Sequence, residues 1–300
     1  MLHDAHCHFF SRRFFETLAR DAPDLGPGDP AAAATAALGW EAPGAPAELA
    51  DRWVAELDRH GVSRAALIAS VPGDEQSVAE AAARHPRRFV GWFMLDATRE
   101  DAPRRTADAL GRLGLRCVCL FPAMHRYRLD DERVRRVFDV AAAHPGAAVF
   151  VHCGVLSVGV RAKLGLPSRF DVRLGDPLAL PPLAAAHPGL PIIVPHFGAG
   201  LLREALMAAD LCSNIHLDTS SSNGWIRYHP GLTLADVFRR ALDVVGPGRL
   251  LFGTDSSFFP RGWQRPVWEA QAAALEQAGA DPAVREQIFA GNFERLFEAG

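Results

Sequence analysis

At 300 residues, with 49% hydrophobic and 22% charged residues, the chain has the composition of a soluble globular protein and enough length for two small domains or one large α/β barrel. Its net charge of -3 excludes a basic surface that neutralises phosphates, so no nucleic-acid partner is expected. No apolar run approaches the roughly 18 residues of a membrane span, and the first residues show no signal-peptide pattern, which predicts a cytoplasmic protein with no membrane partner.

Eight short apolar runs predict β-strands. They are rich in Val, Ile, Leu and Phe with little polar alternation, which is typical of parallel strands that are buried on both faces. In chain order the predicted strands cover 2–8, 62–70, 89–95, 115–121, 147–152, 191–196, 214–218 and 249–254.

Stretches with helical periodicity lie between these runs, and several open with Asp or Pro. The repeated order of strand then helix predicts an α/β fold, a (β/α)8 TIM barrel that forms a single domain over 1–300. A doubly wound open sheet is the alternative, because a pattern of elements does not fix their topology. The predicted helices cover 47–59, 74–84, 101–113, 130–143, 177–186, 199–209 and 234–244.

A His-Pro pair ends three of the predicted helices, at His85, His144 and His187. Proline disfavours helical conformation in the residue before it, and a histidine in the last turn interacts favourably with the helix dipole. We therefore predict capping roles for these histidines and for His60, rather than roles as metal ligands.

One segment interrupts the alternation of strands and helices. Residues 9–46 are rich in Ala, Pro and Gly and are too long for an ordinary βα loop. Because βα loops surround the active face of a barrel, this insertion is predicted to form a lid or a wall of the substrate site. A disordered surface excursion is the alternative for residues 25–37.

Five side chains that can bind metals fall at the carboxyl ends of predicted strands. They are His6, His8, His152, His196 and Asp255. Residues i and i+2 of a strand face the same side, and the carboxyl ends of barrel strands meet at one face, so these side chains are predicted to converge. Imidazoles and a carboxylate suit zinc, iron, manganese or nickel, which predicts a site for a divalent metal, with zinc as the first expectation.

The motifs around these residues are Asp4-Ala-His6-Cys-His8, Phe150-Val-His152-Cys-Gly154, Ile193-Val-Pro-His196-Phe-Gly-Ala-Gly200, Leu251-Phe-Gly-Thr-Asp255 and Gly291-Asn292-Phe-Glu-Arg-Leu-Phe297. Together they resemble the amidohydrolase superfamily, in particular the amidohydrolase-related family that includes aminocarboxymuconate-semialdehyde decarboxylase. The resemblance covers essentially the whole chain, with the motifs in the expected order.

The resemblance implies one divalent metal, Zn2+ first and Mn2+, Fe2+ or Ni2+ as alternatives. The ligands that it implies are His6, His8, His152 and Asp255. It further implies that His196 activates or orients a water molecule and that Asp255 accepts a proton from it. Relatives with two metals use a carboxylated lysine at the end of strand four. Here that end reads Cys119-Leu-Phe121-Pro122, and the only lysine in the chain is Lys163, so a mononuclear site is expected.

Two reactions are known in the family that the chain resembles. The first is hydrolysis of a small, carboxylated cyclic or carbonyl substrate by metal-activated water, and this is the predicted function. The alternative is non-oxidative decarboxylation of an unsaturated or aromatic acid. The metal ligands do not distinguish the two reactions. A non-catalytic metal-binding or ligand-binding barrel is a third interpretation, from another class of protein.

Arginines in the loops that follow strands are candidate substrate contacts, because a planar guanidinium binds carboxylates with two hydrogen bonds. The candidates, with one histidine beside them, are Arg126, Arg128, Arg161, Arg227 and His125. Further arginines of the same class are Arg12, Arg13, Arg169, Arg173 and Arg261. The expected partner is a small-molecule substrate, and a homodimer is expected from the resemblance alone.

Overall fold

The structure, a computed structural model, describes all residues except 23, 24, 26, 27, 169, 222, 223 and 298–300. Within the described residues eight parallel strands pair in chain order, each with the next, so the predicted (β/α)8 TIM barrel is confirmed and the open doubly wound sheet is excluded. The strands are β1 His3–Phe9, β2 Arg64–Ala69, β3 Phe89–Leu95, β4 Cys117–Leu120, β5 Ala148–Val151, β6 Ile192–Val194, β7 Ile215–Asp218 and β8 Leu250–Leu251.

Helices follow the strands and form the outer layer, and two further helices lie in the insertion after β1. The α-helices in the described part of the chain are α1 Arg12–Asp21, α2 Pro30–Leu38, α3 Pro46–Arg59, α4 Glu75–Arg84, α5 Ala102–Gly111, α6 Pro122–His125, α7 Glu132–Ala142, α8 Gly159–Lys163, α9 Pro181–Ala186, α10 Leu202–Leu211, α11 Leu234–Val245, α12 Arg265–Gln277, α13 Pro282–Glu286 and α14 Asn292–Phe297. None of the helices among these described residues is long and apolar enough to cross a membrane.

Alternate strand residues serve two separate cores. Ile68, Trp92 and Phe150 belong to a cluster inside the barrel, whereas Leu67 and Phe93, their neighbours on the same strands, pack against the helices. This division follows from the two-residue period of a strand, since successive side chains point to opposite faces. Because both faces are buried, the strands read as continuous apolar runs.

The barrel closes between β1 and the chain after β8. Ala5 N donates to Phe252 O at 2.8 Å, and Asp255 N donates to His6 O at 2.9 Å. The buried carboxylate of Asp4 joins the same two segments, because it accepts hydrogen bonds from Thr254 Oγ1 at 2.5 Å and from Trp263 Nε1 at 2.7 Å.

Regular strand structure ends early at β6 and β8. The predicted strand 191–196 stops at Val194, because His196 adopts a left-handed conformation with φ 55°. The predicted strand 249–254 keeps only two residues. Gly253 follows, and a β-carbon there would lie 2.8 Å from His6 Cβ and 2.9 Å from Ser220 Cβ, so only glycine fits this close approach. His196 and Asp255 therefore lie on irregular backbone just beyond these two strands.

Two predicted helices also need correction. The predicted helix 199–209 begins at Leu202 instead, since Ala199 is left-handed, with φ 44°. The predicted helix 177–186 is a short turn, Pro177–Ala179, followed by α9. Two adjacent prolines, Pro181 and Pro182, interrupt the helical hydrogen bonding, because proline lacks a backbone donor.

The predicted histidine caps are confirmed. The C-cap residues directly after α3, α4 and α9 are His60, His85 and His187. His144 lies just beyond α7, and its Nδ1 contacts Val140 O at 2.8 Å. These histidines lie at helix ends, away from the carboxyl face of the barrel.

The described part of the insertion 9–46 forms a packed layer. Ser11 caps α1 and donates to the Asp74 carboxylate at 2.5 Å, while Asp29 caps α2. Buried residues of both helices share one apolar cluster with Val71, in the loop after β2, and Val160 of α8. The alternative of a disordered excursion over 25–37 is wrong for residues 30–37, which lie in α2; residues 26 and 27 lie outside the described residues.

We predict that Asp4→Asn destabilises the fold. One oxygen of Asp4 accepts the hydrogen bonds of both Thr254 and Trp263. Asparagine replaces one of the two carboxylate oxygens with an NH2 group, which cannot accept, so hydrogen bonds are lost and the free energy of unfolding should fall by about 2–4 kcal/mol. Urea unfolding of this variant and of the exposed control Asp210→Asn measures the change; the control should shift by less than about 0.5 kcal/mol. Equal stability of the two variants would contradict this role for Asp4.

Candidate metal centre

The carboxyl ends of the strands surround one cavity of about 630 Å3. The five predicted convergent residues all line it, as do parts of the insertion and of the loops after β5, β7 and β8. They are His6, His8, His152, His196 and Asp255. The convergence that the strand order predicts is therefore present in the structure.

Three of these residues, which we call the group of three, approach one another closely enough to share an ion: His6, His8 and Asp255. His8 Nε2 lies 3.1 Å from Asp255 Oδ1, His6 Nε2 lies 3.7 Å from the same oxygen, and the two Nε2 atoms are 3.4 Å apart. Tetrahedral ligands about 2.0–2.2 Å from zinc lie roughly 3.3–3.6 Å from one another. The observed separations of 3.1, 3.4 and 3.7 Å scatter around this range, so only small movements of the side chains would place all three ligands around a single small cation.

Hydrogen bonds on the far side of each imidazole determine which nitrogen faces the group of three. His6 Nδ1 lies 2.6 Å from the Asp218 carboxylate, an obligate acceptor, so Nδ1 carries the proton. Ser70 donates its hydroxyl to Ile68 O and so accepts from His8 Nδ1, at 2.8 Å. Both Nε2 atoms are left as lone-pair donors, which is the tautomer that metal ligation needs.

The group of three is electrostatically unfavourable without a cation. Two imidazole lone pairs and a carboxylate oxygen face one another, and in these tautomers no proton lies between them. A divalent cation relieves this repulsion, because each of the three groups is a hard or intermediate ligand for zinc, manganese, iron or nickel. The residues therefore fit the metal site predicted from the sequence.

His152 and His196 occupy the same cavity outside this group of three. Their ring centroids are 5.3 Å apart, and that of His196 is 5.1 Å from that of His6. His152 Nδ1 is buried and has no hydrogen-bond partner among the described residues. A buried polar atom without a partner is costly, so His152 is the natural candidate for a fourth ligand. His196 Nδ1 contacts Ser220 O at 3.1 Å, which leaves its Nε2 as an acceptor.

Burial and neighbouring charges shift the pKa values of these groups in different directions. Burial lowers the pKa of His8, of His152 and of His196, which favours neutral imidazoles. Burial alone would raise the pKa of Asp255, but the adjacent imidazoles of His8 and His6 hold it well below its ordinary value. Burial also opposes protonation of His6, yet the Asp218 carboxylate more than compensates and raises the pKa of His6.

Backbone strain is concentrated at the same face. Left-handed conformations of residues other than glycine are uncommon and persist where the surroundings enforce them, often at functional sites. His196 and Asp255 adopt such conformations, with φ of 55° and 59°. Each residue follows a short strand, so the strained turn directs a potential ligand or base into the cavity.

Sequence reasoning missed the residues that orient the ligands. Asp218, Ser220 and Ser70 lie at or just beyond strand ends, behind the histidines. A signal for Asp218 was present, because it is a carboxylate at the end of the predicted strand 214–218, where it can reach a histidine on a neighbouring strand. No comparable signal marks a serine.

Most of the predicted substrate residues do not line the cavity. Arg227 does, but Arg126, Arg128, Arg161 and His125 do not. Arg128 is paired with Asp130 at 2.9 Å, and Arg161 is paired with Asp21 of α1 at 2.8 Å. His125 is the last residue of α6, and Arg126 is the exposed C-cap residue directly after it. Arg169 lies outside the described residues.

The cationic side chains that line the cavity are Lys163, Arg227 and Arg261. Asp255 is the only acidic residue among the described lining residues, and none of the three cations forms an ion pair within the described part of the chain. Arg261 donates to Ser257 Oγ at 2.6 Å and lies 3.4 Å from Asp255 O. The cavity thus has an excess of positive charge close to the group of three, which favours an anionic ligand.

Aromatic rings form one side of the cavity. We call Phe10, Phe14, Trp40 and Phe258 the aromatic wall; all four line the cavity. Phe10 stacks on Phe14 with ring centroids 3.8 Å apart, and Trp40 stacks on Phe258 at 3.7 Å. Three of these rings come from the insertion, which places it at the cavity as predicted.

Comparisons with known proteins agree with this geometry. The family described as amidohydrolase matches residues 3–299. No curated protein matches the chain.

Solved structures share the fold over almost the entire chain. The 5-carboxyvanillate decarboxylase of Sphingomonas paucimobilis is 17% identical, with a TM-score of 0.67 and coverage of 100% of this chain and 99% of that chain. A probable 2-pyrone-4,6-dicarboxylic acid hydrolase of Acinetobacter baumannii is 15% identical, with a TM-score of 0.63 and coverage of 99% of each chain. A zinc-bound amidohydrolase of Burkholderia multivorans is 19% identical, with a TM-score of 0.62 and coverage of 99% and 98%.

We predict that Asp218→Asn weakens zinc binding by about 10–100-fold, since it removes the charge that orients His6. Competition with a chromophoric chelator measures the affinity, and the exposed Asp243→Asn serves as the matched control. A variant that binds zinc as tightly as the control would show that Asp218 does not support the metal centre.

Proposed function

Because the chain belongs to the amidohydrolase family, we propose that it is a metal-dependent hydrolase that acts on a small, carboxylated cyclic or carbonyl substrate. The observation that carries the proposal is the group of three, His6, His8 and Asp255, in a cavity whose other charged lining residues are cationic. A closed structural metal site would have no such cavity beside it, so the arrangement favours an enzyme over a non-catalytic binding barrel.

The proposed cofactor is one divalent metal, with zinc as the first expectation. His6, His8 and Asp255 would hold it, with His152 as the fourth ligand. When bound, the metal supplies Lewis-acid activation of a carbonyl group and of water. Phe121 and Pro122 follow β4 where two-metal relatives have a lysine, which supports a mononuclear site.

The protein's own groups handle the proton. In hydrolysis, water adds its oxygen to the carbonyl carbon, and the leaving oxygen or nitrogen departs with a proton. The Asp255 carboxylate can accept a proton from water and return it to the leaving group. His196 Nε2 is a second acceptor beside it, since Ser220 O holds the Nδ1 proton on the opposite side of the ring.

The cavity also supplies substrate binding. Arg261 lies next to Asp255 and is free of carboxylate partners among the described residues, so it can bind a substrate carboxylate close to the reacting bond. Arg227 adds a second guanidinium from the loop after β7. The aromatic wall offers flat apolar surface for a ring. The homodimer expected from the resemblance stays a prediction.

Decarboxylation is the second candidate reaction, because the same cations would bind an aromatic acid equally well. One similar solved structure is a 5-carboxyvanillate decarboxylase and another a probable 2-pyrone-4,6-dicarboxylic acid hydrolase, so the two reactions occur on this fold. Hydrolysis is preferred here because Asp255 and His196 start as proton acceptors, as the activation of water requires. Decarboxylation instead needs a group that already carries the proton for carbon when the reaction begins.

We predict that the zinc-loaded protein opens carboxylated lactones such as 2-pyrone-4,6-dicarboxylate. Loss of pyrone absorbance and release of a proton at constant pH measure the reaction, and Asp255→Asn should lower kcat at least about 100-fold, in the range of a lost general base. Asp243→Asn is the control and should retain activity.

A parallel assay traps carbon dioxide from 5-carboxyvanillate and related aromatic acids. Release of carbon dioxide without ring opening would show that the reaction is decarboxylation and not hydrolysis. Neither product from a zinc-loaded protein, over a panel of carboxylated lactones, cyclic amides and aromatic acids, would contradict both candidates.

A further inference from the structure

Lys163, the only lysine of the chain, is the last residue of α8 and lines the cavity. No ion pair of Lys163 occurs among the described residues, although most arginines of the chain are paired with a carboxylate. A charged side chain that faces a cavity without a partner is available to a ligand.

The ammonium group of Lys163 lies beside the aromatic wall. Lys163 Nζ is 5.4 Å from the ring centroid of Trp40 and 5.8 Å from that of Phe258. These two centroids are themselves only 3.7 Å apart in a parallel stack. A point nearly equidistant from two stacked rings lies beside their rims, not above either face.

This position does not satisfy the charge. Aromatic faces attract cations, but aromatic edges carry positive charge and do not. Lys163 is therefore held next to the rings without the stabilisation that a position above a face would provide. An anionic group at the rim would interact favourably with both the ammonium and the ring edges.

The surrounding contacts keep Lys163 and Trp40 together. Arg161, on the same short helix, pairs with Asp21 of α1 at 2.8 Å. Trp40 N donates to Thr35 O at 2.9 Å, and Glu41 N donates to Phe259 O at 3.2 Å, which joins the insertion to the loop after β8. The loop after β5, the insertion and the loop after β8 thus meet at this point.

Arg261 occupies a different position in the same cavity. Its guanidinium carbon is 4.5 Å from the centroid of Phe258, and one face of that ring is already covered by Trp40. Arg261 therefore covers the opposite face, on the side where it approaches Asp255. The ring of Phe258 separates this guanidinium from the Trp40 stack beside which Lys163 lies.

We propose that Lys163 and the rims of Trp40 and Phe258 form a second anion-binding position, so that the preferred substrate carries two acidic groups. Arg261 takes the acidic group beside the group of three, and Lys163 takes the one farther along the aromatic wall. The proposal deepens the proposed function and rests on it for the site, but it concerns which ligand binds and not which bond breaks.

Calorimetric titration of the zinc-loaded protein with two unreactive probes tests this assignment. Isophthalate carries two carboxylates on one ring, and benzoate carries one. We expect Lys163→Met to weaken isophthalate binding about tenfold, since it removes one charge-assisted hydrogen bond, and to change benzoate binding less than about twofold. Lys163→Arg should restore most of the affinity for isophthalate.

Arg173→Met is the matched control, because Arg173 is exposed, follows the same strand and does not line the cavity. Lys163→Gln repeats the test with a polar neutral side chain. Equal isophthalate affinity in the wild type and Lys163→Met, an equal loss for both probes, or no binding of isophthalate to the wild type would each overturn the proposal. Failure of the lactone assay leaves this binding comparison intact, so the two proposals fail separately.

Discussion

The buried carboxylate of Asp218 organises the candidate metal centre. It accepts the Nδ1 proton of His6 at 2.6 Å and the backbone proton of Ser220 at 2.6 Å. The hydroxyl oxygen of Ser220 in turn lies 2.9 Å from the Nδ1 atoms of both His6 and His196. One residue at the end of β7 therefore fixes the tautomer of a candidate metal ligand and the position of a candidate base. Without that proton acceptor, the His6 lone pair would have no fixed direction.

The barrel makes this arrangement possible and its irregular ends complete it. Parallel strands bring residues that are far apart in sequence to one face, but regular strands would direct alternate side chains into the apolar interior. At β6 and β8 the chain leaves regular pairing early, and His196 and Asp255 take left-handed conformations. At the same place, Gly253 lets β1 and the end of β7 pack closely against the chain after β8. Local strain is balanced by the buried hydrogen bonds of Asp4 and Asp218.

The fold and the convergent residues could be predicted from the sequence because their signals are local. Strands buried on both faces are continuous apolar runs, and the i, i+2 spacing of His6 and His8 places them on one side of β1. Whether a charged residue is available to bind substrate depends instead on partners that are distant in sequence. Arg161 has a loop position typical of a carboxylate clamp, yet Asp21, 140 positions earlier, neutralises it. Lys163 lies beside two rings, Trp40 and Phe258, that come together only when the insertion folds against the loop after β8.

X-ray absorption spectroscopy at the metal edge of the zinc-loaded protein tests whether histidine and carboxylate hold a single metal ion at the carboxyl face. We expect nitrogen and oxygen neighbours only, with the outer-shell scattering of imidazole rings and no metal–metal scattering. Sulfur neighbours from Cys7 or Cys153, which adjoin the predicted histidine ligands in sequence, or a second metal nearby would contradict this expectation.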